Sequence, residues 1–330
     1  MSRLVVVAIG RNEGERLARC LASIPRDGTP VVYVDSGSTD GSADLAARAG
    51  ADVVRLDPAR PFSAARARNE GVERALASVP GVAFVQFVDG DCELAPGWLS
   101  EGERILRARD DVAAVCGRVR ERQRDRTIYN RLCDLEWDVP PGEVASCGGI
   151  AMMRVDAFGA EGGFAAALVA GEEPELCVRL RRRGWVILRV RDEMATHDAA
   201  MVRFAQWWRR AQRGGWAYAQ GVALHGAPPE RHWVREQRSA LAWGAVLPVA
   251  ALTLALAVHG AFAALLVAYP LLGLRVGRWA RRRGASRRDA LLQGAFIVIA
   301  KFPEALGALQ FHALRGSGRQ RGAFDWRVAG

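Results

Sequence analysis

The chain has 330 residues, enough for about two domains, and a formal net charge of +10. The positive charge is almost all arginine, since Lys301 is the only lysine, and no basic stripe interleaved with aromatic residues is present. The composition therefore gives no support to a nucleic-acid-binding protein. The six cysteines have no C-x-x-C or C-x-x-x-C spacing, which excludes an obvious disulfide framework or zinc site.

The first half of the chain alternates short apolar runs with helical patterns. Strands are predicted at 4–9, 31–34, 53–56 and 82–88, and helices at 13–23, 42–49 and 64–78. Strands separated by helices of this length indicate βαβ units, so we expect an α/β domain with a Rossmann-like, mostly parallel sheet sandwiched by helices. The run at 4–9 is too short for a secretion signal, so the first domain is expected to be cytoplasmic.

Polar, turn-forming residues follow three of these predicted strands, at 10–13, 35–40 and 89–91. Ligands of open parallel sheets bind outside the carboxyl ends of the strands. The sequence therefore predicts a site at this edge of the sheet. The first of these turns lacks G-x-G-x-x-G, which disfavours a dinucleotide-dependent oxidoreductase.

Asp89 and Asp91 close the apolar run at 82–88. Two carboxylates at this spacing can converge on one hard divalent cation, and Mg²⁺ in proteins is commonly held by one or two carboxylates and substrate phosphates. The pair is thus typical of an enzyme that handles a nucleotide diphosphate, with Mg²⁺ or Mn²⁺ as cofactor.

The last third of the chain changes character. The stretches 239–258 and 260–276 are apolar and about long enough to span a bilayer, and they predict a transmembrane helical hairpin. Arginines flank both outer ends of this hairpin, which by the positive-inside rule places both ends in the cytoplasm. Two buried helices of a soluble domain are the alternative.

A third apolar stretch, 290–309, is interrupted by Lys301, Pro303 and Glu304 and is followed by an arginine-rich tail. If this stretch crossed the bilayer, the basic tail would lie outside the cytoplasm. We therefore expect an interfacial or re-entrant helix with a cytoplasmic tail.

Together, these residues resemble the family 2 glycosyltransferases, over about residues 3–225. Five motifs occur in the order of that family: the first strand with Asn12-Glu13, Val34-Asp35 to Ser42, Ala67-Arg68-Asn69-Glu70-Gly71, Asp89-Gly90-Asp91 with Pro96-Gly97-Trp98, and Gly171-Glu172-Glu173-Pro174-Glu175-Leu176. The last motif departs from the family pattern, which has Asp where this chain has Glu173. The resemblance implies a GT-A fold and a nucleotide-diphosphate sugar as donor.

The resemblance also implies roles for individual residues. The nucleotide sugar is expected to contact Asn12, Glu13, Asp35, Arg68, Asn69, Asp89, Gly148 and Gly149. The metal is expected at Asp89 and Asp91, with His197 as a further ligand. Glu173 is the candidate general base of an inverting displacement, and Glu172 is the alternative.

Several of these residues also have purely structural interpretations. Asp35 can close an Asx-turn, and His197 can be a structural histidine. Arg66 competes with Arg68 for the diphosphate, because both lie early on the same predicted helix.

The predicted organisation is a glycosyltransferase domain at 1–225, a basic amphipathic linker at 226–238, the hairpin at 239–276, and a basic loop, helix and tail at 277–330. The predicted function is transfer of a sugar to a hydroxyl acceptor, expected to be a lipid-linked glycan, in cell-envelope or exopolysaccharide synthesis. The expected location is the bacterial inner membrane, where the chain would contact membrane lipid. The alternatives are a polyprenyl-phosphate glycosyltransferase and a non-catalytic nucleotide-sugar-binding component of a polysaccharide export complex.

Overall fold

The computed structural model describes residues 4–25 and 27–316, so most of the predicted tail lies outside the described residues. The chain forms two compact units. Of the described residues, the first unit contains those up to 126, 136–168 and 172–200, and the second contains 127–135, 169–171 and 201–316.

The first unit is built on one nine-stranded sheet. Its strands are β1 Leu4–Gly10, β2 Val31–Asp35, β3 Asp52–Arg55, β4 Phe84–Asp89, β5 Cys92–Leu94, β6 Val112–Glu121, β7 Gly142–Glu143, β8 Ala151–Arg154 and β9 Val186–His197. Their order is β3-β2-β1-β4-β8-β6-β9-β5, with β7 paired to β9.

One half of this sheet is the predicted parallel array, because β3, β2, β1 and β4 all run in the same direction. The other half is mixed. Strand β8 lies antiparallel between β4 and β6, while β6 and β9 are parallel to each other. The sequence pattern predicted the parallel half and did not reveal β5, β6 or β8.

The helices are α1 Glu15–Ala22, α2 Ser42–Arg48, α3 Ala64–Ser78, α4 Trp98–Ala108, α5 Ile128–Trp137, α6 Val155–Ala160, α7 Glu172–Arg182, α8 Phe204–His225, α9 Val234–Leu241, α10 Leu247–Ala257, α11 Ala268–Arg282 and α12 Arg287–Gly316. A π-helical segment, Ala242–Val246, joins α9 to α10, and a 3₁₀ segment, Gly260–Val267, precedes α11.

The core of the first unit forms around β1 and β4, whose residues are apolar on both faces and buried. This is the pattern of a parallel strand covered on both sides by helices. Helix α3 lies directly on β1, since a Cβ at Gly71 would be only 2.4 Å from the Val7 side chain. The glycine thus allows the close approach that fixes α3 beside the site edge of the sheet.

The second unit is helical. Three of its helical segments, Val234–Ala257, Gly260–Arg282 and Arg287–Gly316, are long and apolar enough to cross a membrane. The first two correspond to the predicted hairpin. The third is one continuous helix that Pro303 does not end.

Helix α12 packs against α8 and the π-helical segment through glycines. A Cβ at Gly215 would lie 1.9 Å from the carbonyl oxygen of Glu304, and a Cβ at Gly244 would lie 1.9 Å from that of Lys301. The side chains of Lys301 and Glu304, which interrupt the apolar pattern in the sequence, are buried and form an ion pair at 2.7 Å. The pairing offsets much of the cost of burying two charges in an apolar helix.

Candidate active site

The register of the parallel strands brings the predicted site residues to one edge of the sheet. Gly10 at the end of β1 is paired with Asp35 at the end of β2, and Ile9 is paired with Asp89 at the end of β4. The turn after β4 is held against β1 by a hydrogen bond from the Gly90 amide to the Ile9 carbonyl at 2.8 Å. The polar clusters predicted to meet do meet.

Arg68 joins two of the predicted acids. Its Nη2 donates to Asp89 Oδ1 and its Nη1 donates to Glu172 Oε1, both at 2.7 Å, and the guanidinium is almost fully buried. Burial alone lowers the pKa of Arg68, but the two carboxylates raise this pKa by a larger amount, so the side chain stays charged. A Cβ at Gly149 would lie 2.7 Å from Arg68 Nη2, so only glycine leaves this guanidinium in place.

Asp91 lies beside His197, with 3.5 Å between Asp91 Oδ2 and His197 Nε2. The strand register explains this, because His197 is paired with Cys92 of β5 and with Glu121 of β6. Glu121 Oε2 lies 3.3 Å from His197 Nδ1 and also accepts from the Ala199 amide at 3.1 Å. This buried carboxylate accepts from Nδ1, so Nε2 is the ring nitrogen that faces Asp91.

Negative charge accumulates at this edge. Burial raises the pKa of Glu13 to about 7, and the nearby charge of Asp91 adds to the shift, although Arg16 opposes it. Burial also raises the pKa of Asp91; His197 opposes this shift and Asp89 adds to it. The Glu13 side chain packs against Gly90, where a Cβ would lie 3.0 Å from its Cγ. Glu13, Asp89 and Asp91 thus lie close to one another, and a bound cation would reduce the electrostatic repulsion between them.

The residues fit a hard divalent cation. Asp89 and Asp91 supply carboxylate oxygens, and His197 supplies a nitrogen whose orientation is fixed by Glu121. The ligand atoms of Asp91, Cys92 and His197 lie within 4.8 Å of one another, in a group that does not include Asp89. Burial raises the pKa of the Cys92 thiol well above its usual value.

Glu173 lies in a different environment from Glu172. It is buried, and its Oε1 accepts from the Cys147 amide at 2.6 Å, the Cys147 thiol at 3.0 Å and the Cys177 thiol at 2.9 Å. Hydrogen bonding to Cys177 and burial raise the pKa of Cys147, and burial raises the pKa of Cys177 to about 11, so both remain thiols. The predicted base thus points into a thiol cluster, whereas its neighbour points at Arg68.

Two predicted donor-binding residues are engaged in the loop after β2. Asp35 is buried and accepts from the amides of Gly37 at 3.0 Å and Ser38 at 2.9 Å, which is the Asx-turn considered as its structural role. Asn12 Oδ1 accepts from the Thr39 amide at 2.7 Å, and the Asn12 backbone amide donates to Ser38 Oγ at 2.9 Å. Both residues shape the rim of the site.

The residues predicted on α3 make different contacts. Asn69 clamps the backbone of Phe164, donating to its carbonyl at 2.8 Å and accepting from its amide at 2.9 Å. Arg66, the rival of Arg68, binds Glu70 and the carbonyls of Asp57 and Arg60 instead. Arg68 is therefore the arginine of α3 that contacts the acidic edge.

Gly148, exposed and beside Gly149, has a positive φ of 90°.

Sequence reasoning did not identify Glu121. It lies 76 positions before His197 in the chain, and it is the last residue of a strand that the apolar pattern did not reveal. Only the pairing of β6 with β9 brings the two side chains together. If β6 had been recognised as a strand, the acidic residue at its carboxyl end would have indicated Glu121 as a candidate site residue.

Comparison with known proteins gives a family match for the first half of the chain. Residues 5–159 match the model of Glycosyl transferase family 2, which confirms the resemblance deduced from the motifs. A TPR repeat-containing protein of Synechococcus elongatus is 35% identical over 94 residues, which is 28% of this chain and 22% of that protein. The chain thus spans about one fifth of the length of this curated relative.

Solved structures resemble the chain over a larger part of its length. A mannosyltransferase from Pyrobaculum calidifontis, in complex with GDP-Man and Mn²⁺, has a TM-score of 0.64 and 22% identity, covering 94% of this chain and 87% of that one. Glucosyl-3-phosphoglycerate synthase from Mycobacterium tuberculosis has a TM-score of 0.49 and 20% identity, over 68% and 81% of the two chains. The first of these similarities confirms the GT-A fold and extends into the helical second unit.

Proposed function

Because residues 5–159 form a glycosyltransferase family 2 domain, we propose that this protein transfers a sugar from a nucleotide-diphosphate donor to an acceptor, with inversion at the anomeric carbon. The observation that carries the proposal is that Asp91 lies beside His197, while the buried Arg68 binds Asp89 two residues earlier on the same turn. These groups combine a candidate cation site with a fixed positive charge. A diphosphate leaving group needs both kinds of charge stabilisation.

We assign Mg²⁺ or Mn²⁺ to Asp89, Asp91 and His197. The ion would neutralise the charge that develops on the departing nucleoside diphosphate. The protein's own contribution is preorganisation: Arg68 holds Asp89 at 2.7 Å and Glu121 orients His197 before any ligand arrives. Pairing of these side chains inside the protein reduces the reorganisation needed at the moment of reaction.

For a hydroxyl acceptor, the geometry favours Glu172 over Glu173 as general base. A base must reach the proton that it removes, and Glu173 is buried against the Cys147 amide and two thiols. Glu172 contacts Arg68, which also contacts Asp89, so it lies one guanidinium away from the candidate metal ligands. Glu173 would then support the loop that carries Gly148 and Gly149 through its bond to Cys147.

A second acceptor is favoured by the same contacts. Both candidate bases are engaged, Glu172 in an ion pair with Arg68 and Glu173 with buried donors. An acceptor that is already anionic, such as polyprenyl phosphate, needs no base. With this acceptor, neither Glu172→Gln nor Glu173→Gln would remove turnover, although Glu172→Gln would loosen Arg68.

The helical segments capable of crossing a membrane support a lipid-borne acceptor or product. We propose a multi-pass protein of the bacterial inner membrane, with the catalytic domain at 1–225 in the cytoplasm and the hairpin at 239–276 in the bilayer. The proposed process is cell-envelope or exopolysaccharide glycan synthesis. The three candidate spans of the described residues are too few to build an export channel, so we propose single additions to a membrane-bound substrate.

A panel of nucleotide sugars, assayed for nucleoside diphosphate release with membrane lipid extract and Mn²⁺, tests the activity. We expect Asp91→Asn to reduce kcat at least 100-fold, because it removes a carboxylate from the candidate cation site. The matched control is Asp110→Asn, whose side chain is 98% exposed. Tight binding of a donor without any release of diphosphate would contradict the enzymatic proposal and support the non-catalytic alternative.

The same assay separates the two candidate bases. Loss of general-base catalysis typically costs 10² to 10⁴ in rate. With a hydroxyl acceptor, Glu172→Gln is expected to lower kcat by this amount and to flatten the acidic limb of the pH–rate profile. If Glu173→Gln has that effect and Glu172→Gln does not, the assignment of the base is wrong.

A further inference from the structure

A dense group of arginines surrounds the turn between α11 and α12. Seven arginines lie within residues 275–288, and all are exposed: Arg275, Arg278, Arg281, Arg282, Arg283, Arg287 and Arg288. We call this segment the arginine turn. None of the seven side chains forms an ion pair within the part of the chain that the structure describes.

The one acid in this region does not offset the positive charge. Asp289 is buried, forms an ion pair with Arg131, and accepts a hydrogen bond from Ser286 Oγ at 2.8 Å. Its carboxylate therefore faces the interior of the second unit. The solvent-facing side of the arginine turn is left with positive charge alone.

Apolar side chains lie exposed immediately before the arginine turn. On α11, Leu271 is 60% exposed and Leu274 is 51% exposed. The candidate span that contains them, Gly260–Arg282, is nowhere buried inside the protein over its apolar window. Trp279 is also exposed, and the Arg283 guanidinium lies over its ring at 4.8 Å. Exposed apolar residues followed by a tryptophan among arginines are typical of the end of a membrane-spanning helix.

We propose that the arginine turn binds the headgroups of anionic phospholipids. Guanidinium groups bind phosphate oxygens in a bidentate manner, and clusters of four to eight basic residues beside a membrane helix attract anionic leaflets. The exposed leucines select a lipid surface over a soluble phosphate or a nucleic acid, because neither of these would cover apolar side chains. This binding does not depend on the proposed sugar transfer.

The test uses the full chain reconstituted into nanodiscs with equal amounts of phosphatidylglycerol and phosphatidylcholine. Native mass spectrometry then measures which lipids remain bound to the protein after release. The test variant combines Arg281→Gln, Arg282→Gln, Arg287→Gln and Arg288→Gln. A control variant removes the same charge from exposed sites of the first unit, with Arg48→Gln, Arg104→Gln, Arg107→Gln and Arg191→Gln.

We expect wild type and control to retain phosphatidylglycerol preferentially, and the test variant to lose at least tenfold of that preference. One arginine near an anionic surface contributes roughly a fivefold change in binding. Equal preference in the test variant and the control would overturn the proposal. So would complete displacement of the lipid by millimolar inorganic phosphate, which would indicate a small-anion site.

Salt dependence provides a second measurement that needs no variant. The arginines are exposed, so raising the salt concentration from about 0.1 to 1 M shortens the screening length from about 10 to 3 Å. The preference of the wild type for phosphatidylglycerol is then expected to fall several-fold. A preference that does not change with salt would show that these exposed charges do not cause it.

Discussion

Replacing Glu121 with glutamine is expected to weaken Mn²⁺ binding at least tenfold. The side chain of Glu121 is fully buried, and the partners of its two oxygens include His197 Nδ1 at 3.3 Å, the Ala199 amide at 3.1 Å and the Gln123 amide at 3.2 Å. An amide of the same shape has one oxygen and one NH₂ group. At least one of the two backbone amides must then face another donor.

Two magnitudes follow from this geometry. An unsatisfied buried donor costs about 1–3 kcal/mol, which is the expected loss of stability. Removing the carboxylate that orients a ligating histidine typically weakens metal binding about 10- to 100-fold, because the imidazole loses its fixed tautomer and part of its basicity. The two effects are similar in free energy, since a 10- to 100-fold change in affinity is about 1.4–2.7 kcal/mol. They are measured separately, because a loss of stability does not change the affinity of the molecules that remain folded.

Titration of the full chain with Mn²⁺, followed by the electron paramagnetic resonance signal of the free ion, measures the dissociation constant directly. Glu101→Gln, which changes an acid on the exposed face of α4, is the control. If Glu121 acts through His197, its substitution has no further effect in a His197→Ala background. A dissociation constant within twofold of wild type, or effects of the two substitutions that multiply, would refute the reasoning.

Three other predictions concern close contacts and charge. Gly149→Ala places a Cβ 2.7 Å from Arg68 Nη2, and we expect a loss of about 10- to 100-fold in kcat/KM, measured by diphosphate release. Gly215→Ala places a Cβ 1.9 Å from a carbonyl oxygen of α12, so we expect about 1–3 kcal/mol of destabilisation, measured by thermal unfolding in detergent. In metal-free protein, Glu13→Gln is expected to be the more stable form at pH 8 by about 1–2 kcal/mol, because the raised pKa of about 7 makes ionised Glu13 unfavourable in the folded state.

Each of these predictions has a control. Gly159→Ala is the control for Gly149→Ala, and Gly214→Ala is the control for Gly215→Ala. Both add a Cβ in open space and should be nearly neutral. If a control variant shows the same loss as the variant it is paired with, steric contact is not the cause. For Glu13 the stability of wild type should fall as pH rises from 4.5 to 7, and the advantage of the glutamine variant should disappear below pH 4.5. An advantage that persists at pH 4 would contradict the assignment.

The sequence predicted those parts of the fold whose pattern is local. Strands β1 to β4 are continuous apolar runs and α1 to α3 lie between them, so spacing and periodicity located them to within about two residues. Strands β5, β6 and β8 have no such pattern of alternation with helices. Their place in the sheet depends on pairing between distant segments, which one sequence does not show.

The same distinction explains the site. Asp89 and Asp91 could be proposed from the sequence because their spacing is local, and Arg68 because it belongs to a short local motif. The contacts of Glu173 with Cys147, and of Asn69 with Phe164, join segments far apart in the chain. The sequence can identify such residues as candidates, but it does not show which of them already form hydrogen bonds with other parts of the protein.

The pairing of β6 with β9 sets a rule for changes in chain length. Between the pair Val112–Val186 and the pair Glu121–His197, β9 contains two more residues than β6, and irregularities in the ladder absorb them. Successive side chains of a strand point to opposite faces, so two additional residues in β9 leave the imidazole of His197 on the same face of the sheet as Glu121. Insertion or deletion of one residue here would turn the histidine away from Asp91 while leaving every side chain of the cluster chemically intact.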